Sequence, residues 1–267
     1  MNYYYKYFFY AQLFVCFSTN AFINQPRVSI ITSVYKADEY MKRFFENITQ
    51  QTIFSECELI LINANSPGNE EPIILKYMAK YKNIKYIKLS YDPGVYGVWN
   101  IGIIASDAPY ITNANLDDLR YADCLERQAR FLDENSSIDL VYANFKYSDD
   151  PKSDIDHCTI INQVQHVPII NLKKALWQCI PGPQPMWRKD VHQKVGFFDQ
   201  RFLYSGDWEF WNRMVQAGLD FGQMNGYSGV YYFNPDGLST NQVPEKVKQR
   251  NDENQYIIAK YSNMWNN

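Results

Sequence analysis

The sequence predicts an α/β fold with a mostly parallel central sheet flanked by helices. Three observations predict it. Apolar runs of strand length alternate with helix-patterned stretches from Arg27 to Ala143. Strict β–α alternation requires crossover connections, and these lay strands parallel with helices on both faces. The chain has 267 residues, 46% of them hydrophobic, so a large core can be buried. Finally, marked polar loops follow three of the strands, at the end where open α/β sheets bind ligands.

The elements follow in order. Val28–Val34 is an apolar run that reads as a strand. Met41, Phe44, Phe45 and Ile48 fall at i, i+3, i+4 and i+7, the stripe of an amphipathic helix. Glu58–Asn63 is the second strand. Ser66–Glu71, with Pro67 and Gly68, breaks the chain, and Ile73–Tyr81 resumes as helix. Ile84–Leu89 alternates as a less buried strand would. Val95–Ala105 reads as helix, Tyr110–Thr112 as strand, Asp123–Asn135 as helix and Ile138–Ala143 as strand. Phe145–Cys179 is irregular and polar, and is expected to be a long surface connection of the lid or binding-loop kind. A helix is expected over Asp207–Ala217, stopped at Gly218. Pro244–Tyr261 reads as a charged helix with Val247, Ile257 and Ile258 as its few apolar contacts.

Composition narrows the function. Charged residues are 21% and the net charge is −3, which gives no basic surface for nucleic acid. Aromatics are dense, with 22 Tyr and 6 Trp, but they suit cores as well as sugar-stacking platforms and do not discriminate. The five cysteines lack any Cys-x-x-Cys pair, which argues against a zinc site or disulfide scaffold and favours a reducing compartment. His157, His166 and His192 have no metal-ligand spacing and read as surface or loop residues. Residues 3–23 carry one charge, Lys6, around an apolar centre at 11–17. They read as a signal peptide or signal anchor, with a mistaken start site or an interfacial leader as alternatives. They are short and polar for a spanning helix. The expected location is cytoplasmic, with membrane association through the N-terminus, or the secretory pathway if the leader is a true signal.

The most telling stretch is Asn113-Ala114-Asn115-Leu116-Asp117-Asp118. A core strand that delivers adjacent carboxylates to its C-terminal end is unfavourable unless a cation meets them there. A divalent metal held between the carboxylates and a phosphate ester removes the repulsion. The alternative is that Asp117 or Asp118 caps the following helix.

Taken together and in this order, these segments resemble an inverting family 2 glycosyltransferase with the GT-A fold, over Arg27 to Asn241. Val28–Tyr35 resembles the opening strand, with Ser33 and Lys36 in place of the usual Pro and Asn. By that likeness the backbone at Val34 and Tyr35 lies against the nucleotide base. Glu58–Ser66 resembles the second strand and its acidic turn, which places Asn63 and Asn65 beside the base, Asn63 replacing an Asp. An amide offers a donor and an acceptor, so Asn63 can still read a base edge. Asp92-Pro93-Gly94 through Asn100 and Gly102 resembles the segment that opens a helix toward the donor diphosphate, with Gly97 where Asp is usual. Helix N-termini favour anions.

Asn115-Leu116-Asp117-Asp118 resembles the family's acidic signature. The likeness implies donor contacts for Asn115 and Asp117, and Asp118, with Asp117, as ligands of Mn²⁺ or Mg²⁺. Gly206-Asp207-Trp208-Glu209-Phe210-Trp211 resembles the second acidic motif, whose Asp, here Asp207, is the general base toward the acceptor hydroxyl. Opening a helix favours its ionised form; a mere cap, with Glu209 facing solvent, is the alternative. Gln184 and Trp187 fall on the acceptor-side segment, and Trp187 or Trp208 would stack on a sugar or pack in the core. Asn234 stands where many relatives carry a metal-binding His.

The resemblance implies a metal-assisted transfer from a UDP- or GDP-sugar to a carbohydrate, lipid-linked or glycoprotein acceptor. It divides the chain into a leader (1–24), a catalytic domain (25–241, with a nucleotide-binding part 27–145 and an acceptor part 146–241) and a C-terminal helix (242–267). The departures at Asn63, Gly97 and Asn234 leave a non-catalytic nucleotide-sugar or glycan-binding module as the alternative. A nucleotidyltransferase would want a Gly-rich basic loop after the first strand, which Lys36-Ala37-Asp38 does not supply.

Overall fold

The computed structural model describes residues 25–164 and 179–262, together with the backbone strand 14–16. The leader other than that strand, and residues 165–178 with His166, lie outside the described residues. The strands are β1 (Phe14–Cys16), β2 (Val28–Val34), β3 (Cys57–Asn63), β4 (Ile84–Lys88), β5 (Tyr110–Asn113), β6 (Leu119–Arg120), β7 (Ile138–Ser148), β8 (Ile160–Val164), β9 (Met186–Arg188) and β10 (Asp220–Tyr232). The helices are α1 (Met41–Ile48), α2 (Glu71–Lys80), α3 (Gly94–Ala105), α4 (Cys124–Glu134), α5 (Val191–Val195), α6 (Gly206–Gln216) and α7 (Pro244–Tyr261).

All these strands join one mixed sheet in the order β1-β4-β3-β2-β5-β9-β7-β10-β6, with β8 paired to β7. The β4-β3-β2-β5 block is parallel, as the β–α alternation requires. The short β9 lies antiparallel between β5 and β7, and β10 runs parallel to β7. The sheet therefore continues from the 27–145 segment into the 146–241 segment.

Side-chain alternation along β2 and β3 sorts the core into two layers. Val28, Ile30, Val34, Leu59 and Leu61 pack with α1, α2 and α4. Ile31, Ile60 and Ile62 pack with α3, α6 and α7. The stripe Met41, Phe44, Phe45 and Ile48 is buried on the first layer, as its spacing requires. At the N-terminal end of the strands, buried Glu58 pairs with Lys85 at 2.5 Å and takes the Asp107 N–H at 2.5 Å. Those partners satisfy a charge at the end of the sheet that faces away from the polar loops.

Two expectations are corrected, and one strand was not foreseen. The Phe145–Cys179 segment is not wholly irregular: β7 runs on to Ser148, and Ile160–Val164 pairs antiparallel with it. The long strand Asp220–Tyr232 escapes the apolar pattern, because glycines at 222, 226 and 229 and polar residues interrupt its alternation. Its register against β7 is shifted three times. His192 is not a surface residue. It lies in α5, buried, with Nε2 taking the Trp187 indole N–H at 3.0 Å and Nδ1 at 2.8 Å from Gly196 O. No described helix is long and apolar enough to cross a membrane.

Candidate functional site

The C-terminal ends of β2, β3 and β5 lie side by side in the sheet. Val34 pairs with Asn63 in register, and its carbonyl takes the Ala64 N–H at 3.1 Å. Tyr35 beyond it is 42% exposed. Lys36 and Asn65 both adopt left-handed backbone, at φ 50° and 53°, rare for non-glycine residues and suited to tight loops. Ser66 Oγ knits the two loops. It accepts the Lys36 N–H at 2.9 Å and donates to buried Glu70 at 2.7 Å, which also takes the Ala37 N–H at 2.9 Å. The Asn63 amide oxygen accepts the Ser66 N–H at 2.8 Å, so its acceptor closes the turn.

The acidic turn follows β5. Ala114 N–H still bonds Ile31 O at 2.9 Å, and then β6 pairs with β10 before α4 begins with Asp123 at its N-cap position. Neither Asp117 nor Asp118 caps that helix. Asp118 is buried: one carboxylate oxygen accepts the Tyr232 N–H at 3.0 Å, the other the Asn115 amide at 2.9 Å. Asp117 accepts the Asn234 amide at 3.1 Å. Burial raises the pKa of both, Asp118 well above the ordinary range because the Asp117 charge adds to it. The Arg43 guanidinium bonds the Asp117 carbonyl and also the Asp150 and Ser153 carbonyls at 3.0 and 3.3 Å, tying α1 and the turn after β7 to the acidic turn. Arg120 is buried beneath, donating to Thr112 Oγ1 at 2.9 Å and Asn113 O at 2.6 Å. Gln184 lines a small cavity with Asn115, Asp118 and Arg120, and its amide donates to Leu119 O at 2.9 Å.

The donor set here is hard oxygen. Two adjacent carboxylates, buried Asp118 and half-buried Asp117, whose proton affinity is raised by desolvation, that of Asp118 also by the Asp117 charge, suit a divalent cation. Among the described residues no group of three or more His, Cys, Asp or Glu side chains is placed to hold a metal. The pair therefore fits a cation only with further oxygens from a ligand. Asn234 occupies the expected place beside Asp117 and donates to it.

The helix α3 opens after Asp92, whose carboxylate takes the Gly94 N–H at 2.8 Å. Gly97 has a steric reason: a Cβ there would stand 2.6 Å from Pro93 Cβ, a rigid ring at the helix start. The Asn100 amide is used at both ends by Phe198, donating to its carbonyl at 2.8 Å and accepting its N–H at 2.9 Å. Its role in this geometry is to hold the 198 loop.

Asp207 sits in the first turn of α6 and is half-buried against α3. It accepts the Trp208 N–H at 2.8 Å, faces the Tyr96 hydroxyl at 3.2 Å and takes the Cys179 thiol at 3.4 Å. The helix start was expected to favour the ionised form, but desolvation outweighs it and the pKa is raised. Glu209 does not face solvent: it is buried between Arg213 and Lys260, with its pKa lowered despite desolvation. Trp208 and Trp187 are both buried, the latter wholly within the core against His192. Of the two, neither presents an open stacking face. Sequence reasoning did not single out Arg43, Arg120 or Tyr96. Arg43 lies on the polar side of the α1 stripe, and only the fold brings it to the acids.

The Glycosyl transferase family 2 model matches residues 29–196. The chain belongs to that family. An uncharacterized glycosyltransferase of Methanocaldococcus jannaschii is 24% identical over 204 residues, 74% of this chain and 68% of that protein. The crystal structure of S. aureus TarS 1-349 in complex with UDP-GlcNAc superposes with a TM-score of 0.67 at 15% identity, covering 87% of this chain and 66% of that one. A mannosyltransferase of Pyrobaculum calidifontis, in complex with GDP-Man and Mn²⁺, superposes at 0.61 with 10% identity, over 88% of this chain and 70% of that one. These likenesses show the GT-A-type fold of this family 2 member. The chain spans about two thirds of the length of TarS 1-349 and of the archaeal relative.

Proposed function

We propose that this family 2 chain moves a sugar from a nucleotide-sugar donor, a UDP- or GDP-sugar, to an acceptor hydroxyl with inversion at the anomeric carbon. The carrying observation is a pair of adjacent acids at the end of β5, buried Asp118 and half-buried Asp117, together with a third, half-buried acid, Asp207, held against the first turn of α3. Base contacts fall to the ends of β2 and β3, at Val34, Tyr35, Asn63 and Asn65. Beyond Gly94, whose N–H Asp92 takes, the first turn of α3 would present its N–H groups to the diphosphate. Asp207, more basic than an exposed carboxylate, takes the acceptor proton. The acceptor oxygen then attacks the anomeric carbon, and the bond to the diphosphate breaks with its electron pair leaving on the nucleoside diphosphate. A single displacement of this kind inverts the centre and needs no covalent nucleophile.

Asp117 and Asp118 would hold Mn²⁺ or Mg²⁺, with Asn115 and Asn234 setting their orientation. When bound, such an ion supplies positive charge beside the leaving diphosphate. The support is the hard-oxygen donor set and the Mn²⁺ in the Pyrobaculum protein's complex.

Asp207→Asn tests the assignment. Transfer, followed as UDP or GDP release, is expected to fall by roughly a hundredfold or more. UDP-GlcNAc or GDP-mannose binding, measured by calorimetry, is expected to survive. Turnover within a few-fold of the unmodified chain contradicts the assignment.

A further inference from the structure

Asp207 and α7 both lie beyond the segment matched by the family model, and α7 reaches back to the loop that carries Asp207. The Glu253 carboxylate on α7 accepts three successive backbone N–H groups, those of Leu203, Tyr204 and Ser205, at 2.7, 2.9 and 2.8 Å. Among the described residues it has no ion-pair partner, so its charge is directed to that backbone. Bonds to an ionised acceptor are roughly twice as strong as neutral ones. Ser205 holds the N-cap position of α6 but its side chain makes no cap bond. Its hydroxyl instead lies 2.6 Å from Asn254 Oδ1, again on α7. The fastened loop continues into the site: Tyr204 O takes the Tyr96 hydroxyl at 2.9 Å, and that hydroxyl stands 3.2 Å from Asp207.

We infer that Glu253 is a positioning residue for Asp207, holding the 203–205 backbone and, through Tyr204 O and the Tyr96 hydroxyl, the orientation of the Asp207 carboxylate. The inference rests on reading Asp207 as the base. It makes the C-terminal helix part of the catalytic apparatus without contact to substrate. α7 has separate anchors, with Ile257 and Tyr261 buried and Lys260 bonded to Glu209 at 2.7 Å, so losing Glu253 leaves the helix docked.

The test compares Glu253→Ala and Glu253→Gln with Lys246→Ala, an exposed position on the same helix. The Asp207 carboxyl is titrated by carbon NMR, which needs no acceptor. Tyr96 and Cys179 are the titratable groups that face it, and burial holds its pKa up. A loosened loop weakens the Tyr96 bond, which raises the midpoint, but also admits water against the larger effect of burial, so the midpoint is expected to fall toward the ordinary carboxylate range in Glu253→Ala, less in Glu253→Gln, and not in Lys246→Ala. UDP release from UDP-GlcNAc, or GDP release from GDP-mannose, with water as acceptor, is expected to lose about tenfold or more in kcat. KM is expected to stay within about twofold, with partial recovery in Glu253→Gln, whose amide oxygen still accepts. An unmoved midpoint overturns the inference, as does a kcat loss matched by an equal loss of donor affinity. An unmodified chain that releases neither diphosphate rejects the reading of Asp207 as base, while the midpoint still judges Glu253.

Discussion

Acidification is expected to unfold this protein partly through one imidazole. His192 is buried against Trp187, Phe197 and Phe210, with ring centroids at 6.3, 5.5 and 5.2 Å. Its bonds fix the neutral form, with Nδ1–H donating to Gly196 O and Nε2 accepting from Trp187. A second proton on Nε2 would oppose the indole N–H. Burial, with the nearby Arg213 and Lys189 charges and against the pull of the Gly196 carbonyl, pushes its pKa down from 6.5 to about 4. A folded pKa below the unfolded one means stability is full above pH 6.5 and is lost as pH falls from there toward 4. The displacement converts to about 3 kcal/mol, a large part of a typical folding free energy. Carboxylates also titrate in that window, so the assay is a difference. Urea unfolding of the unmodified chain and of His192→Gln is measured at pH 7.5 and pH 4.5, Gln retaining an acceptor and a donor without titrating. The stability gap between the two proteins is expected to shift by about 2–3 kcal/mol in favour of the variant on acidification. A gap that does not change with pH refutes the reasoning.

Two further outcomes follow from the site. Asp118 is held protonated above the ordinary range by burial and by Asp117, so its ionisation costs stability as pH rises. In EDTA, Asp118→Asn is expected to gain stability relative to the unmodified chain between pH 5 and pH 7.5 in urea titrations, while losing activity; a gap constant with pH would contradict this. Gly102 lets α3 lie on β2, where an added Cβ would stand 2.4 Å from Ile31 Cγ2 in the central strand. Gly102→Ala gains about 1 kcal/mol of helix propensity but overpacks by about 1–3. The expected result is a net loss of up to about 2 kcal/mol that shrinks in an Ile31→Ala background; additive effects would contradict the contact.

The half of the fold built on local periodicity was readable, because its side chains answer to one burial stripe or one alternation. The α1 stripe and the apolar run Leu59–Ile62 of fully buried β3 are of that kind, and the C-terminal helix Pro244–Tyr261 is bounded as its sequence implies. Elements defined by long-range pairing were not readable. The two-residue β6 and the three-residue β9 exist only through partners far along the chain. In β10, glycines and polar residues mask a strand that the β7 edge imposes.

The site divides in the same way. Adjacent acids at the end of an apolar run announce themselves, because burying them is costly without a purpose. Asn100 and Trp187 carry the right residue types in the right segments, yet the structure uses one to hold Phe198 and the other as core. Residue identity does not encode which way an amide or an indole is turned once tertiary partners compete for it. Arg43 and Glu253 were invisible for the converse reason. Each sits on an ordinary polar helix face, and only docking turns it toward the site.

The central claim is that Asp117 and Asp118 form the donor site with a divalent cation. Calorimetric titration of UDP and GDP into the unmodified chain and into Asp117→Asn/Asp118→Asn, with Mn²⁺ and with EDTA, tests it most directly. The account predicts that one of the two diphosphates binds the unmodified chain, that Mn²⁺ tightens binding at least tenfold, and that the double variant loses this gain. Equal binding by the double variant, or binding indifferent to Mn²⁺, would contradict it.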